Sequence, residues 1–168
     1  DRINQEQPAL VGLSFLSTTS YPYAKMLARE IRATNQKVKL AFGGVFASLN
    51  ASLVKLQCPE VDFVCRGDGE QLLLDLLANL ENPQTVASLT WMKDGQVVQN
   101  PNRPTERHLD QWPFPDRESL ELDYVESMPL DVPVVLSMRR FTTMQTSRGC
   151  PWPCIFCDIP IFNEGKWR

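Results

Sequence analysis

Short apolar runs alternate with helix-period segments through residues 9–80, the pattern of an α/β unit built on a mostly parallel sheet. Residues 9–15 read as a buried strand ending in Ser and Thr. Ser20 can cap a helix running to Asn35, with Pro22 in its first turn and Ala24, Leu27, Ala28 and Ile31 along one apolar face. Residues 38–42 form the next strand, stopped by Gly43-Gly44, and a helix over 51–56 follows. The third strand, 61–65, leads through Arg66-Gly67-Asp68-Gly69-Glu70 into a helix over 71–80 whose leucines make a wide apolar face. Glycine-rich turns thus sit at the C-terminal ends of strands, where open α/β sheets bind ligands.

Beyond residue 80 the pattern changes. Residues 88–92 and 96–99 flank a Lys93-Asp94-Gly95 turn, a strong hairpin signal. Residues 101–133 carry six prolines and little periodicity, which marks a linker. Alternation resumes at residue 134, with a strand expected over 142–146 delivering a cysteine-bearing loop. The chain divides on this reading into an α/β domain (1–100), a linker (101–133) and the opening of a second domain (134–168).

Composition narrows the function classes. No apolar run approaches the roughly 20 residues that a membrane-spanning helix needs, so no membrane span is expected. A net charge of −3 argues against a nucleic-acid footprint, and Arg139-Arg140 and Lys166-Trp167-Arg168 read as solvated surface. Five cysteines, odd in number and clustered, do not suit a disulfide framework and fit a reducing, cytoplasmic setting. Cys65 reads as a small core hydrophobe. Asp1 opens the chain without a cationic or signal-like stretch, so no targeting segment is expected.

The densest chemistry lies in Cys150, Cys154 and Cys157, spaced CxxxCxxC. Three thiolates leave one position of a tetrahedral site open. Structural zinc usually takes four ligands in paired spacings, and the only histidine, His108, sits in the polar linker. Three closely spaced cysteines can instead hold three irons of a [4Fe–4S] cubane, with the fourth iron free for an exchangeable ligand. Pro151 and Pro153 stiffen this loop.

With an aromatic residue, Phe156, before the last cysteine and Thr-Ser-Arg-Gly ahead of the first, the run resembles the radical S-adenosylmethionine enzymes. The resemblance implies that Cys150, Cys154 and Cys157 ligate the cluster and that the backbone at Phe156 lies beside the adenine of S-adenosylmethionine. On that pattern the open iron chelates S-adenosylmethionine, whose reductive cleavage yields a 5′-deoxyadenosyl radical that abstracts substrate hydrogen.

Upstream, Ser14-Phe15-Leu16 is followed after twenty-six residues by Gly43-Gly44. By physics alone a glycine pair after a strand is generic turn chemistry that also permits close approach of a ligand. The SxL and GG segments together resemble the cobalamin-binding domain of corrinoid enzymes, which implies that Ser14, Leu16, Gly43 and Gly44 line a pocket for the nucleotide tail of cobalamin. The run from Val61 to Glu70 resembles a segment of cobalamin-binding radical enzymes and adds Gly67, Asp68, Gly69 and Glu70 to the expected contacts, with Asp68 in place of the commoner glutamate. Asp68 can also cap the following helix, with Gln71 completing a capping box. Trp112-Pro113-Phe114-Pro115-Asp116-Arg117 resembles the segment joining the two domains in this family.

The resemblance implies a Rossmann-like cobalamin-binding domain, N-terminally incomplete, then a linker and the start of a truncated radical S-adenosylmethionine (β/α) barrel. The histidine of the corrinoid Asp-x-His-x-x-Gly signature would lie upstream of this sequence, and only eleven residues follow Cys157. The expectation is a fragment, inactive by itself, of an enzyme performing methylation or related radical chemistry on an unactivated carbon. Its partners would be a small-molecule substrate and an electron donor such as flavodoxin or ferredoxin. Two other readings stay open: an α/β binding module with structural zinc, and a radical enzyme whose first domain no longer binds cobalamin.

Overall fold

A computed structural model describes residues 2–117 and 144–168. A short helix, α1 (Arg2–Glu6), precedes β1 (Leu10–Ser14), α2 (Tyr21–Thr34), β2 (Lys39–Gly43), α3 (Val45–Leu49), α4 (Ala51–Gln57), β3 (Phe63–Cys65) and α5 (Glu70–Ala78). The hairpin strands β4 (Leu89–Lys93) and β5 (Gln96–Gln99) follow, and α6 (Ile159–Phe162) lies beyond the cysteines. The strands form one sheet in the order β1-β2-β3-β4-β5. β1, β2 and β3 pair parallel, while β4 runs antiparallel to both β3 and β5. Four of the five strands among the described residues therefore point the same way, a Rossmann-like arrangement with an antiparallel hairpin at its edge.

The two-residue period of the strands sorts their side chains into two cores. Leu40 and Phe42 of β2 and Val64 of β3 join Ala28 and Ile31 of α2 and Val54 of α4 in one cluster. Ala41 and Phe63 join Leu72 and Leu76 of α5 with Val86 and Leu89 in the other. Helices thus cover both faces, as parallel strands require to bury apolar runs on two sides. Phe42 is fully buried, and its ring meets Phe15 edge-to-face at 5.1 Å between centroids. Burial of one such side chain stabilises the fold by roughly 1.5–3 kcal/mol.

The elements expected through residue 99 are present with shifted ends. Helix α3 was not visible as a helix in the sequence, because Gly43-Gly44 precedes it and only five residues form it. Leu27 is half-exposed rather than part of the buried face of α2, whose core contacts come from Tyr21, Ala28 and Ile31. On α5 only Leu72 and Leu76 are buried, so its apolar face is narrower than its leucine content suggests. The strand expected over 142–146 falls partly on residues outside the described ones, and residues 144–146 form no strand.

The start of the expected linker is a docked segment. Ser88 N donates to Pro101 O at 2.8 Å, Arg103 N donates to Ser88 Oγ at 2.7 Å, and the Arg103 guanidinium pairs with Asp75 of α5. Buried Asn100 anchors it: its Nδ2 donates to Pro83 O and Val86 O at 2.6 and 2.7 Å, and its Oδ1 accepts from Trp91 Nε1 at 3.1 Å. Residues 118–133 of the expected linker lie outside the described residues.

Candidate cofactor site

The parallel pairing places Ser14 directly opposite Gly43 at the C-terminal ends of β1 and β2. The β2–β3 register continues the row to Cys65, whose Cβ lies 4.0 Å from where a side chain on Gly43 would begin. Beyond this row, Phe15 N donates to Gly43 O at 3.1 Å. Gly44 then turns with φ +92°, and a Cβ there would stand 2.2 Å from Phe15 O. The glycine is required twice over, by its left-handed backbone and by the close approach of β1. Ser14 and Leu16 face outward, Leu16 with 71% of its surface exposed, so this crevice edge is open.

Ser48 of α3 connects this turn to the next. Its hydroxyl lies 2.8 Å from Gly44 O as a donor and accepts from Gly67 N at 3.1 Å. The signal was present in the sequence as a serine four residues after Gly44, the spacing at which a helical hydroxyl back-bonds to a carbonyl.

At the second turn, Gly67 to Glu70, the cap expected from Asp68 does not form. Gly69, not Asp68, is the N-cap of α5, and no side chain caps that helix. The Asp68 carboxylate is instead taken by two guanidiniums: Oδ2 lies 2.6 Å from Arg168 Nη1, and Oδ1 lies 3.4 Å from Arg148 Nη1. Gln71 Nε2 turns away to donate to Asp75 Oδ1 at 2.8 Å, so no capping box forms. Glu70 binds the other arm of Arg148 through Arg148 Nη2. That hydrogen bond holds the Glu70 carboxyl below its usual range, and the same contact raises the Arg148 pKa.

Arg148 introduces the cysteine loop. Arg148 N donates to Arg168 O and Arg168 N donates to Arg148 O, both at 2.8 Å, and Gly149 bridges to Trp167. Gly149 has φ +90°, and a Cβ there would lie 2.0 Å from Lys166 O. The loop therefore closes at its base. Within it, Cys157 N donates to Cys154 O at 3.2 Å, Cys154 is exposed, and Cys150 and Cys157 are half-buried. Phe156 points outward with 88% of its surface exposed.

Three thiols on one accessible loop fit a three-thiolate site in kind and number. Among the described residues no three His, Cys, Asp or Glu side chains converge as metal ligands, so the loop presents these thiols without gathering them. The other two cysteines are unsuited to ligation. Burial pushes the Cys58 thiol up to about 11 and the Cys65 thiol up to about 12, which keeps both protonated at neutral pH.

The structure brings Ser14, Gly43 and Gly44 together and joins Gly67 to them through Ser48. It places Asp68 and Glu70 against the base of the cysteine loop. A cavity of about 510 Å³ lies beside the second turn, lined by Ser48, Arg66, Gly67, Asp68, Glu70 and Arg168 among others. Neither the Ser14–Gly44 crevice nor the cysteines line it. Among the described residues no helix is long and apolar enough to cross a membrane.

Residues 1–77 match the B12 binding domain family. Over 99% of its length the chain is 29% identical to an uncharacterized methyltransferase of Pyrococcus horikoshii, covering 35% of that protein. It is 26% identical to the anaerobic magnesium-protoporphyrin IX monomethyl ester cyclase of Rubrivivax gelatinosus, over 94% of this chain and 28% of the cyclase. The chain thus spans about a third of the length of these curated relatives. In fold it is similar to TsrM, a radical S-adenosylmethionine methyltransferase from Kitasatospora setae solved with tryptophan and a S-adenosylmethionine analogue, with a TM-score of 0.71 at 17% identity over 95% of this chain and 32% of that one. A second TsrM structure, with cobalamin and a [4Fe–4S] cluster bound, gives a TM-score of 0.70 at 16% identity.

Proposed function

From the premise that this chain is related to the cobalamin-binding radical S-adenosylmethionine enzymes, with residues 1–77 matching the B12 binding domain, we propose that it carries the cobalamin-binding and cluster-binding parts of such an enzyme. The observation that carries the reading is the Ser14–Gly43 pair at the ends of adjacent parallel strands, with Gly44 pressed on the Phe15 backbone. In an open α/β sheet that is where a ligand enters, and no side chain on either glycine obstructs the approach.

On this reading Ser14 offers a hydroxyl and Leu16 an apolar wall to the nucleotide tail of cobalamin. Gly43 and Gly44 admit it close to the backbone, and Gly67 to Glu70 border the same end of the sheet. Cys150, Cys154 and Cys157 hold a [4Fe–4S] cluster, and Phe156 borders the S-adenosylmethionine adenine. Bound there, cluster and cobalamin would supply reductive cleavage of S-adenosylmethionine and alkyl-transfer chemistry. The chain's own residues bind and orient: the stiff Pro151 and Pro153 limit the loop's conformations, and the protonated Cys58 and Cys65 stay out of competition for iron.

The reaction, methylation or related chemistry on an unactivated carbon of a small-molecule substrate, belongs to the full-length protein, with an electron donor such as a flavodoxin or ferredoxin. The test is anaerobic reconstitution of that protein with iron and sulfide. A brown species with about four irons per chain is expected, lost in Cys154→Ala, together with cobalamin retained through purification. A colourless protein holding one zinc per chain would overturn the cluster assignment. A brown protein that retains no cobalamin would overturn the role given to the Ser14–Gly44 crevice.

A further inference from the structure

The cysteine loop and the α/β domain meet through charge, beside the packing of α6 against α3. Two guanidiniums leave the two ends of the loop's base, Arg148 and Arg168, whose backbones are hydrogen-bonded to each other at 2.8 Å in both directions. Both reach one short turn of the domain, where Asp68 receives both and Glu70 receives Arg148. An isolated ion pair on a protein surface contributes little. Here the groups form a network, and the Arg168 side chain is only 3% exposed. Arg168 is held further by Glu106 O at 2.7 Å and Asn163 Oδ1 at 2.8 Å, and Arg148 Nε donates to Gln145 Oε1 at 3.2 Å. Without the two carboxylates, two like charges would face each other at the base of one loop. Planar guanidiniums gripping two carboxylates from two fixed points define an orientation as well as an attraction.

We propose that Asp68 and Glu70, with Arg148 two residues ahead of Cys150, form a clasp that seats the cysteine loop on the cobalamin-binding domain and so sets which way its thiols face. Arg148 is a positioning residue, acting on the cluster site through the loop backbone. The role of the clasp in cluster placement rests on the function proposed above, whereas the docking itself does not. The turn from Gly67 to Glu70 then belongs to the junction between domains as much as to the cobalamin pocket.

The experiment uses the full-length protein and two readouts. Native-state trypsin cleavage after Arg148 reports release of the loop, and cleavage after Lys25 of α2 reports general unfolding. Asp68→Asn with Glu70→Gln removes both charges while keeping the shapes, and cleavage after Arg148 is expected to rise about tenfold, with Lys25 still protected. Arg148→Lys, which keeps the charge and the trypsin site but loses the fork, should give an intermediate rate. If the double variant exposes Lys25 as well, Glu70→Gln alone is read in its place. Unchanged cleavage after Arg148 in a folded variant would overturn the clasp.

The second readout is the electron paramagnetic resonance spectrum of the reduced, reconstituted protein. Arg148→Gln should alter the signal at unchanged iron content, and Arg148→Lys should move it back toward wild type. A signal identical in wild type and Arg148→Gln would overturn the positioning role. A wild-type protein that takes up no cluster, yet loses trypsin protection in the double variant, would refute the proposed function and leave the clasp standing.

Discussion

Two glycine turns leave the sheet at adjacent strand ends, and they have opposite fates. Gly43-Gly44 ends in an open crevice with no charged side chain on the turn itself, while Gly67 to Glu70 carries two carboxylates that are already engaged by Arg148 and Arg168. Their glycines answer different needs. Gly44 is hemmed in by the Phe15 backbone, whereas a Cβ on Gly67, at φ +82°, would meet nothing within 4 Å. The first turn is constrained by packing, the second only by its backbone angle. A glycine-rich turn in a sequence therefore does not say by itself whether ligand or protein will occupy it.

Gly44→Ala should break this contrast most strongly. The added methyl meets Phe15 O at 2.2 Å on a left-handed backbone, and a loss of about 3 kcal/mol or more in urea unfolding is expected, with loss of the cobalamin retention proposed above. Gly67→Ala pays only the backbone term, so a loss of about 1–2 kcal/mol is expected by the same measurement. A Gly67 variant as damaging as the Gly44 one would show that the second turn, too, is sterically enclosed. Ser48→Ala removes the hydroxyl that joins the two turns at Gly44 O and Gly67 N, and should cost about 1 kcal/mol.

The smallest effect expected is that of acid on the second turn alone. Because the Glu70 carboxyl is held below its ordinary value of 4.5, chiefly by its hydrogen bond to Arg148, the folded state favours the ionised form. Its contribution is fully present above that ordinary value and is lost as the pH falls below it, through the depressed folded value. Hydrogen exchange over residues 149–157, corrected for its intrinsic pH dependence, should therefore accelerate in that acid window. Exchange near Gly43-Gly44 should not follow it, since no carboxylate sits on that turn.

Much of this was legible in the sequence. Apolar runs bounded by turn residues put the strand ends at Phe15, Phe42 and Cys65, within one residue of Ser14, Gly43 and Cys65 where they fall, and turn chemistry gives the Asp94-Gly95 hairpin. Features set by long-range contact were not. Asp68 has a capping-box spacing to Gln71, yet the partners that claim it are Arg148 and Arg168, far along the chain. Local propensity lost to charge pairing. Likewise the proline-rich start at residue 101 reads as a linker, but Asn100 and Arg103 tie it to α5 and the edge hairpin through bonds no local pattern announces. The thiols divide the same way: spacing singles out Cys150, Cys154 and Cys157, whereas only the fold shows the burial that pushes the Cys58 and Cys65 thiols up to about 11 and about 12.

The paired backbone bonds between Arg148 and Arg168 make the cysteine segment a ring rather than a strand end. A ring has already surrendered the freedom of its ends, so fewer conformations remain to be lost when its thiols take up a ligand. Gly149, fixed against Lys166 O, is the hinge pin of that ring. If the cluster proposed above binds there, it would find its three donors on a loop whose ends are already joined.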